Sequence, residues 1–120
     1  MLTLIVDGNN VVAALGIRRP DAVEQFLTRI ELTAVEKDWE AAVVFDGPER
    51  YLRRESGPLV VRYMQGKTAD SLIERMVYQE SDRSRVIVVT QDRAESQLVR
   101  GFGAMVWSPQ RFLEELNRVE

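Results

Sequence analysis

The chain has 120 residues, 45% of them hydrophobic, with a mean hydropathy of -0.21, no cysteine and no histidine. A chain of this length buries roughly 65% of its unfolded surface, enough for a core without disulfide or metal staples. The missing residue types exclude disulfides, thiolate chemistry, histidine-based acid–base catalysis, Ser-His-Asp triads and the usual zinc sites. The formal charge of -3 is unevenly spread: from Gly47 to Lys67 five basic residues face two acids, a net +3 that leaves -6 elsewhere. A basic segment on an acidic body suits the capture of a polyanion at one place, although scattered arginines on a solvated loop produce the same count.

Residues 2–6, LTLIV, form a short continuous apolar run that predicts a strand buried on both faces. A loop is expected next, and then Pro20 in a first helical turn. Val23, Phe26, Leu27, Ile30 and Ala34 recur at helical spacing and predict an amphipathic helix ending near Asp38. AAVVF at 41–45 predicts a second buried strand, closed by the turn chemistry of DGP. Gly47 to Pro58 is polar, basic and bracketed by turn residues, a loop, and LVVRY at 59–63 predicts a shorter strand. Thr68 suits a helix cap, with Ala69, Leu72, Ile73, Met76 and Val77 as the buried face of the helix that follows. VIVVT at 86–90 predicts a third buried strand, DRAESQLV a short helix ending near Gly101, and AMVW at 104–107 a further strand. Ser108 and Pro109 then open a C-terminal helix anchored by Phe112, Leu113 and Leu116. Trp39 and Trp107 suit core or edge packing. The alternation predicts a three-layer α/β architecture with a mostly parallel central sheet, as one domain over residues 1–120. The apolar runs are too short for a membrane span and the N-terminus lacks a signal-peptide pattern, so a cytoplasmic setting is expected.

The first strand ends in Asp7, the second in Asp46, and Thr90, Gln91 and Asp92 follow the third; Asp70 lies in the first turn of the helix after Thr68. In a parallel sheet the carboxyl ends of the strands share one edge with the helix N-termini. Four carboxylates gathered there repel one another unless a cation joins them, and oxygen-only ligands point to Mg2+ or Mn2+. Such a centre activates water and neutralises charge building on a phosphoryl group. Asn9, Asn10, Thr90 and Gln91 are candidates to orient a phosphate or water. Each aspartate also has a structural reading: Asp46 in a turn, Asp70 and Asp92 as helix caps. A dehalogenase-type phosphatase needs an aspartate where Asn9 stands, a receiver domain needs adjacent early acids, and no GxxxxGK[ST] or GxGxxG phosphate loop occurs.

Five segments together carry a resemblance: LIVDGNNV at 4–11, VVFDG at 43–47, GKTADSLIERMV at 66–77, VIVVTQD at 86–92 and GFGAMVWSPQRFLEEL at 101–116. In this order, over nearly the whole chain, they resemble the YacP-type branch of the NYN (PIN-like) nuclease superfamily. The resemblance implies a PIN-like, Rossmann-like fold and a metal-dependent ribonuclease acting on single-stranded RNA at clustered acids. It implies Asp7 as the central metal ligand, with Asp70 and Asp92 completing the cluster and Asp46 close by. Where the family often has tyrosine this chain has Asn9; Asn10 matches the usual asparagine and is the family-supported amide. The chain is also shorter than typical relatives, chiefly between its early elements.

The expected function is therefore an endoribonuclease in which Asp7, Asn10, Asp70 and Asp92 serve catalysis. Hydrolysis by water leaves 5′-phosphate and 3′-hydroxyl ends. Arg50, Arg53, Arg54, Arg62 and Lys67 are candidates for the RNA backbone, and Tyr51 either stacks on a base or anchors its loop. The RNA is free, or presented by the ribosome or another protein. Two rivals carry different expectations: a PIN-like module that grips RNA or a ribosomal surface without cutting, and a phosphatase acting on a small ester.

Overall fold

The computed structural model describes residues 1–48, 57–65 and 68–118. Five parallel strands are ordered β3-β2-β1-β4-β5: β1 (Thr3–Asp7), β2 (Glu40–Asp46), β3 (Leu59–Met64), β4 (Val86–Val89) and β5 (Met105–Trp107). Helices α1 (Gly8–Ala14), α2 (Pro20–Lys37), α3 (Ala69–Gln79), α4 (Arg93–Gly101) and α5 (Pro109–Asn117) connect or follow them, with a 3₁₀ turn at Arg83–Arg85. The three-layer α/β expectation is met.

Side chains alternate across a pleated strand, so each apolar run feeds two cores. Leu4, Val6, Ala41, Val43, Phe45, Leu59, Val61, Ile87 and Val89 meet the apolar face of α2 and Phe112 and Leu116 of α5. Phe26 and Phe112 meet edge to face there, with centroids 6.0 Å apart, and Trp39 and Trp107 are half-buried against the same cluster. Ile5, Val44, Val86 and Val88 take the other face, under Ala69, Ile73 and Val77 of α3 and Val99 of α4. The central strands β1, β2 and β4 are buried on both sides because helices cover both sides.

Helix boundaries follow local chemistry. Pro20 sits at the start of α2, and the helix ends at Asp38 with φ 56, a left-handed conformation that aspartate tolerates better than most residues. The Ser108 hydroxyl accepts the Arg111 N–H at 3.1 Å and Pro109 begins α5, as the sequence predicts. The region after Asp7 differs from expectation. In place of a loop, helix α1 leaves the strand directly at Gly8, buries Val11 completely, and ends before Gly16 at φ 71. Seven residues whose buried positions are Gly8 and Val11 carry too little apolar periodicity to announce a helix.

Strand order reverses at β1, because β2 and β3 lie to one side and β4 and β5 to the other. A crevice opens at such a switch point, outside the carboxyl ends of the strands. Asp7 ends β1 at this crevice, and Thr90 follows β4 beside it.

Candidate metal centre

The DGNN segment is tied down at every residue. Asp7 is 5% exposed and its Oδ2 accepts the Thr90 hydroxyl at 3.3 Å. Gly8 is required by close approach: a Cβ here would lie 2.7 Å from two ring carbons of Phe45 and 2.8 Å from the Val44 carbonyl oxygen. Asn9 Oδ1 accepts the Asp46 backbone N–H at 2.6 Å, and Asn10 Oδ1 accepts the Gln91 backbone N–H at 2.8 Å. The two amides thus lash the first turn of α1 to the ends of β2 and β4, on either side of Asp7. Both satisfy backbone donors beyond the reach of strand pairing.

Asp7, Asp70 and Glu95 each offer a carboxylate oxygen, and these atoms lie within 4.8 Å of one another. Asp70 is half-buried in the first turn of α3, and Glu95 is 2% exposed in the first turn of α4. Neither Glu95 oxygen has a hydrogen-bond partner among the described residues. Burial pushes the Glu95 carboxyl up to about 10, helped by the neighbouring Asp70 and Asp7 carboxylates. Burial also raises Asp7; Glu95 beside it pulls the other way, the Asp70 charge adds to the rise, and the Asn10 N–H and Thr90 hydroxyl oppose it. Three acids packed this closely cannot all ionise without a positive partner. The donors are oxygens only, which fits a hard divalent cation such as Mg2+ or Mn2+.

Glu95 is the residue that sequence reasoning missed, and α4 shows why. Asp92 is the N-cap and its Oδ1 accepts the Glu95 N–H at 3.0 Å. In a capping box the acid three residues on would return to the N-cap N–H. Here Thr90 Oγ1 already accepts the Asp92 N–H, at 3.1 Å. The Glu95 side chain is left without its local partner and turns inward. One sequence signal was available: Glu95 stands one helical turn before Val99, on the buried stripe of α4.

The other candidates fall in different places. Asp46 Oδ1 accepts the Ala69 N–H at 2.5 Å, so the end of β2 caps α3 and positions Asp70. Asp46 and Asp92 lie outside the three-carboxylate group, each engaged with a helix N-terminus. Thr90 bridges Asp7 and Asp92, and Gln91 contributes its backbone N–H to Asn10. Arg62 is exposed on β3. Arg50, Tyr51, Arg53, Arg54 and Lys67 lie outside the described residues.

Comparison with solved structures finds the same fold in Rae1 (YacP) from Bacillus subtilis, with a TM-score of 0.77 at 21% identity over 98% of this chain and 74% of that one. A single-substitution variant of that protein superposes with a TM-score of 0.80 at 22% identity, covering 98% of this chain and 76% of that chain. No curated protein matches. The YacP-like NYN domain family matches residues 4–120, so the chain belongs to that family, within the PIN-like ribonuclease superfamily.

Proposed function

We propose that this protein is a divalent-metal-dependent endoribonuclease that hydrolyses phosphodiester bonds of single-stranded RNA, leaving 5′-phosphate and 3′-hydroxyl ends. Family membership supports the nuclease class. The observation that carries the metal requirement is the buried Glu95 carboxylate, whose oxygens lack hydrogen-bond partners and stand beside those of Asp7 and Asp70.

Asp7, Asp70 and Glu95 would hold the cation, as Mg2+ or Mn2+. The chemistry such a cation would supply there is activation of water and neutralisation of charge on the phosphoryl oxygens. The protein's part is preorganisation. Thr90 fixes Asp7, Asp46 fixes the start of α3 and hence Asp70, and Asp92 fixes the start of α4 and hence Glu95. Asn10, through the Gln91 N–H, keeps the ends of β1 and β4 in register around the crevice. Glu95 gives up its proton as the cation binds, so metal affinity rises with pH. The substrate is single-stranded RNA in the cytoplasm, free or presented by the ribosome or a second protein.

The test uses end-labelled single-stranded RNA with wild type, Asp7→Asn and Glu95→Gln, in Mg2+, in Mn2+ and in chelator. Metal-dependent cutting to 5′-phosphate ends that both substitutions abolish is the expected result. Tight RNA binding by wild type without any cutting would overturn the reading in favour of a binding module. Cutting that survives Glu95→Gln unchanged would remove Glu95 from the centre.

A further inference from the structure

Among the described residues strand β3 is one edge of the sheet, and beside it α3 leaves a groove of about 490 Å³. It is lined by Val60 to Met64 of β3, Arg62 among them, and by Leu72 and Arg75 of α3. Two guanidinium groups therefore line one groove on a protein whose net charge is -3. Both arginines are exposed, and neither has an ion pair or hydrogen bond among the described residues. Other arginines are engaged, Arg19 with Asp21, Arg118 with Glu115 and Arg83 with the Tyr78 carbonyl. Arg18, Arg93 and Arg100 are exposed and, like the groove pair, have no such partner among the described residues.

The groove opens toward the carboxylates. Met64 at its upper end is level with Asp46 in the sheet, and Asp70 precedes Arg75 on α3 by about 7.5 Å of helix axis. Its lower end changes sign. A second cavity of about 310 Å³ shares Val60 and Arg62, but it runs on to Glu40 and Glu80 at the amino edge of the sheet. A polyanion entering from the carboxylate edge thus meets two cations and is then repelled by two acids. Val60, Met64 and Leu72 line the same groove, apolar groups that suit ribose and base beside guanidinium groups that suit phosphates.

We propose that this groove is an RNA subsite remote from the cleaved bond. The strand runs on from the three carboxylates along the β3 edge, with Arg62 and Arg75 on its phosphates, and leaves the protein before Glu40 and Glu80. The inference rests on the ribonuclease reading for its choice of polymer. It adds a path, a footprint and one residue, Arg75, to that reading.

The test measures binding of a labelled single-stranded RNA of about 16 nucleotides, by anisotropy in chelator over a salt series. Cleavage in Mg2+ is measured separately on that RNA and on a trinucleotide too short to fill the groove. Arg62→Gln/Arg75→Gln is expected to weaken binding about tenfold or more and to reduce the salt slope by about 1.4, at roughly 0.7 per phosphate on a single strand. The double variant loses more cutting of the long RNA than of the trinucleotide, and Arg100→Gln, an exposed arginine on α4, leaves binding and slope as in wild type. An unchanged slope in the double variant, an equal change per charge from Arg100→Gln, or no binding of the long RNA by wild type would each overturn the groove. Wild type that binds through these arginines but never cuts would overturn the ribonuclease reading alone. Wild type that cuts while the double variant binds normally would overturn the groove alone.

Discussion

Asp7 and Asp92 occupy the same formal position: each follows a central parallel strand and is the N-cap residue of the next helix. Asp92 behaves as a cap, accepting the Glu95 N–H, and its own N–H is taken by Thr90. Asp7 makes no full side-chain cap bond, the Asn10 N–H only favouring its charged form; its carboxylate is held by Thr90 and stands with Asp70 and Glu95. An acid that accepts a backbone N–H is engaged in structure. A buried acid without such a bond leaves its oxygens for a ligand, and it stays buried only if a cation or a proton compensates it.

The strongest test of this contrast substitutes one acid on each side of it. Glu95→Gln is expected to lower RNA cleavage by at least about 100-fold, since losing a metal ligand removes several kcal/mol of transition-state stabilisation. Asp92→Asn keeps a good cap and lowers cleavage far less. Comparable losses in both, measured as kcat/KM on one RNA, would erase the distinction.

The second test is pH. Glu95 has its carboxyl pushed up to about 10 in the fold, whereas the ordinary value is 4.5. The folded state keeps a proton that the unfolded state releases, so stability is greatest below the ordinary value and falls as pH rises from there toward about 10. Denaturant melts in chelator should show this decline, and Glu95→Gln should flatten it. Saturating Mg2+ should raise stability most at the alkaline end, where no proton competes for the site.

The structural side of the contrast gives smaller effects. Gly8→Ala forces a methyl against the Phe45 ring and the Val44 carbonyl, with an expected loss of about 1–3 kcal/mol in denaturant melts. A stable Gly8→Ala protein with full activity would show that α1 can shift without disturbing Asp7. Asp92→Ala should cost about 1 kcal/mol through the lost cap. Asn9→Ala and Asn10→Ala each leave a backbone N–H without its acceptor and should cost about 0.5–1.5 kcal/mol.

Much of the fold was legible locally. All five strands are predicted by continuous apolar runs or short apolar segments to within about two residues of their ends, the spread expected of any boundary assignment. Pro20, Thr68 and Ser108 marked helix starts, because a cap or a missing N–H acts on its own neighbours. Helix α1 was not legible, since its burial depends on Val11 meeting a core assembled from other elements. The 3₁₀ turn at Arg83–Arg85 does carry a local cap, Asp82, whose carboxylate accepts the Ser84 N–H at 3.2 Å.

For the candidate site, the sequence by itself determined the parallel-sheet edge and placed Asp7 and Asp70 at it, because strand ends and helix starts are local features that the topology must bring together. It also supplied the oxygen-only chemistry, through the absence of histidine and cysteine. Only the tertiary structure decided which acids keep their oxygens free. Asp46 is engaged by α3, a helix 23 residues on, and Asn9 and Asn10 are engaged by backbone N–H groups 37 and 81 residues away. Glu95 joins the centre because the Thr90 hydroxyl takes the one donor that would have held it at the surface. Hydrogen-bonding capacity is a property of a residue, but whether it is used depends on neighbours that only the folded chain provides.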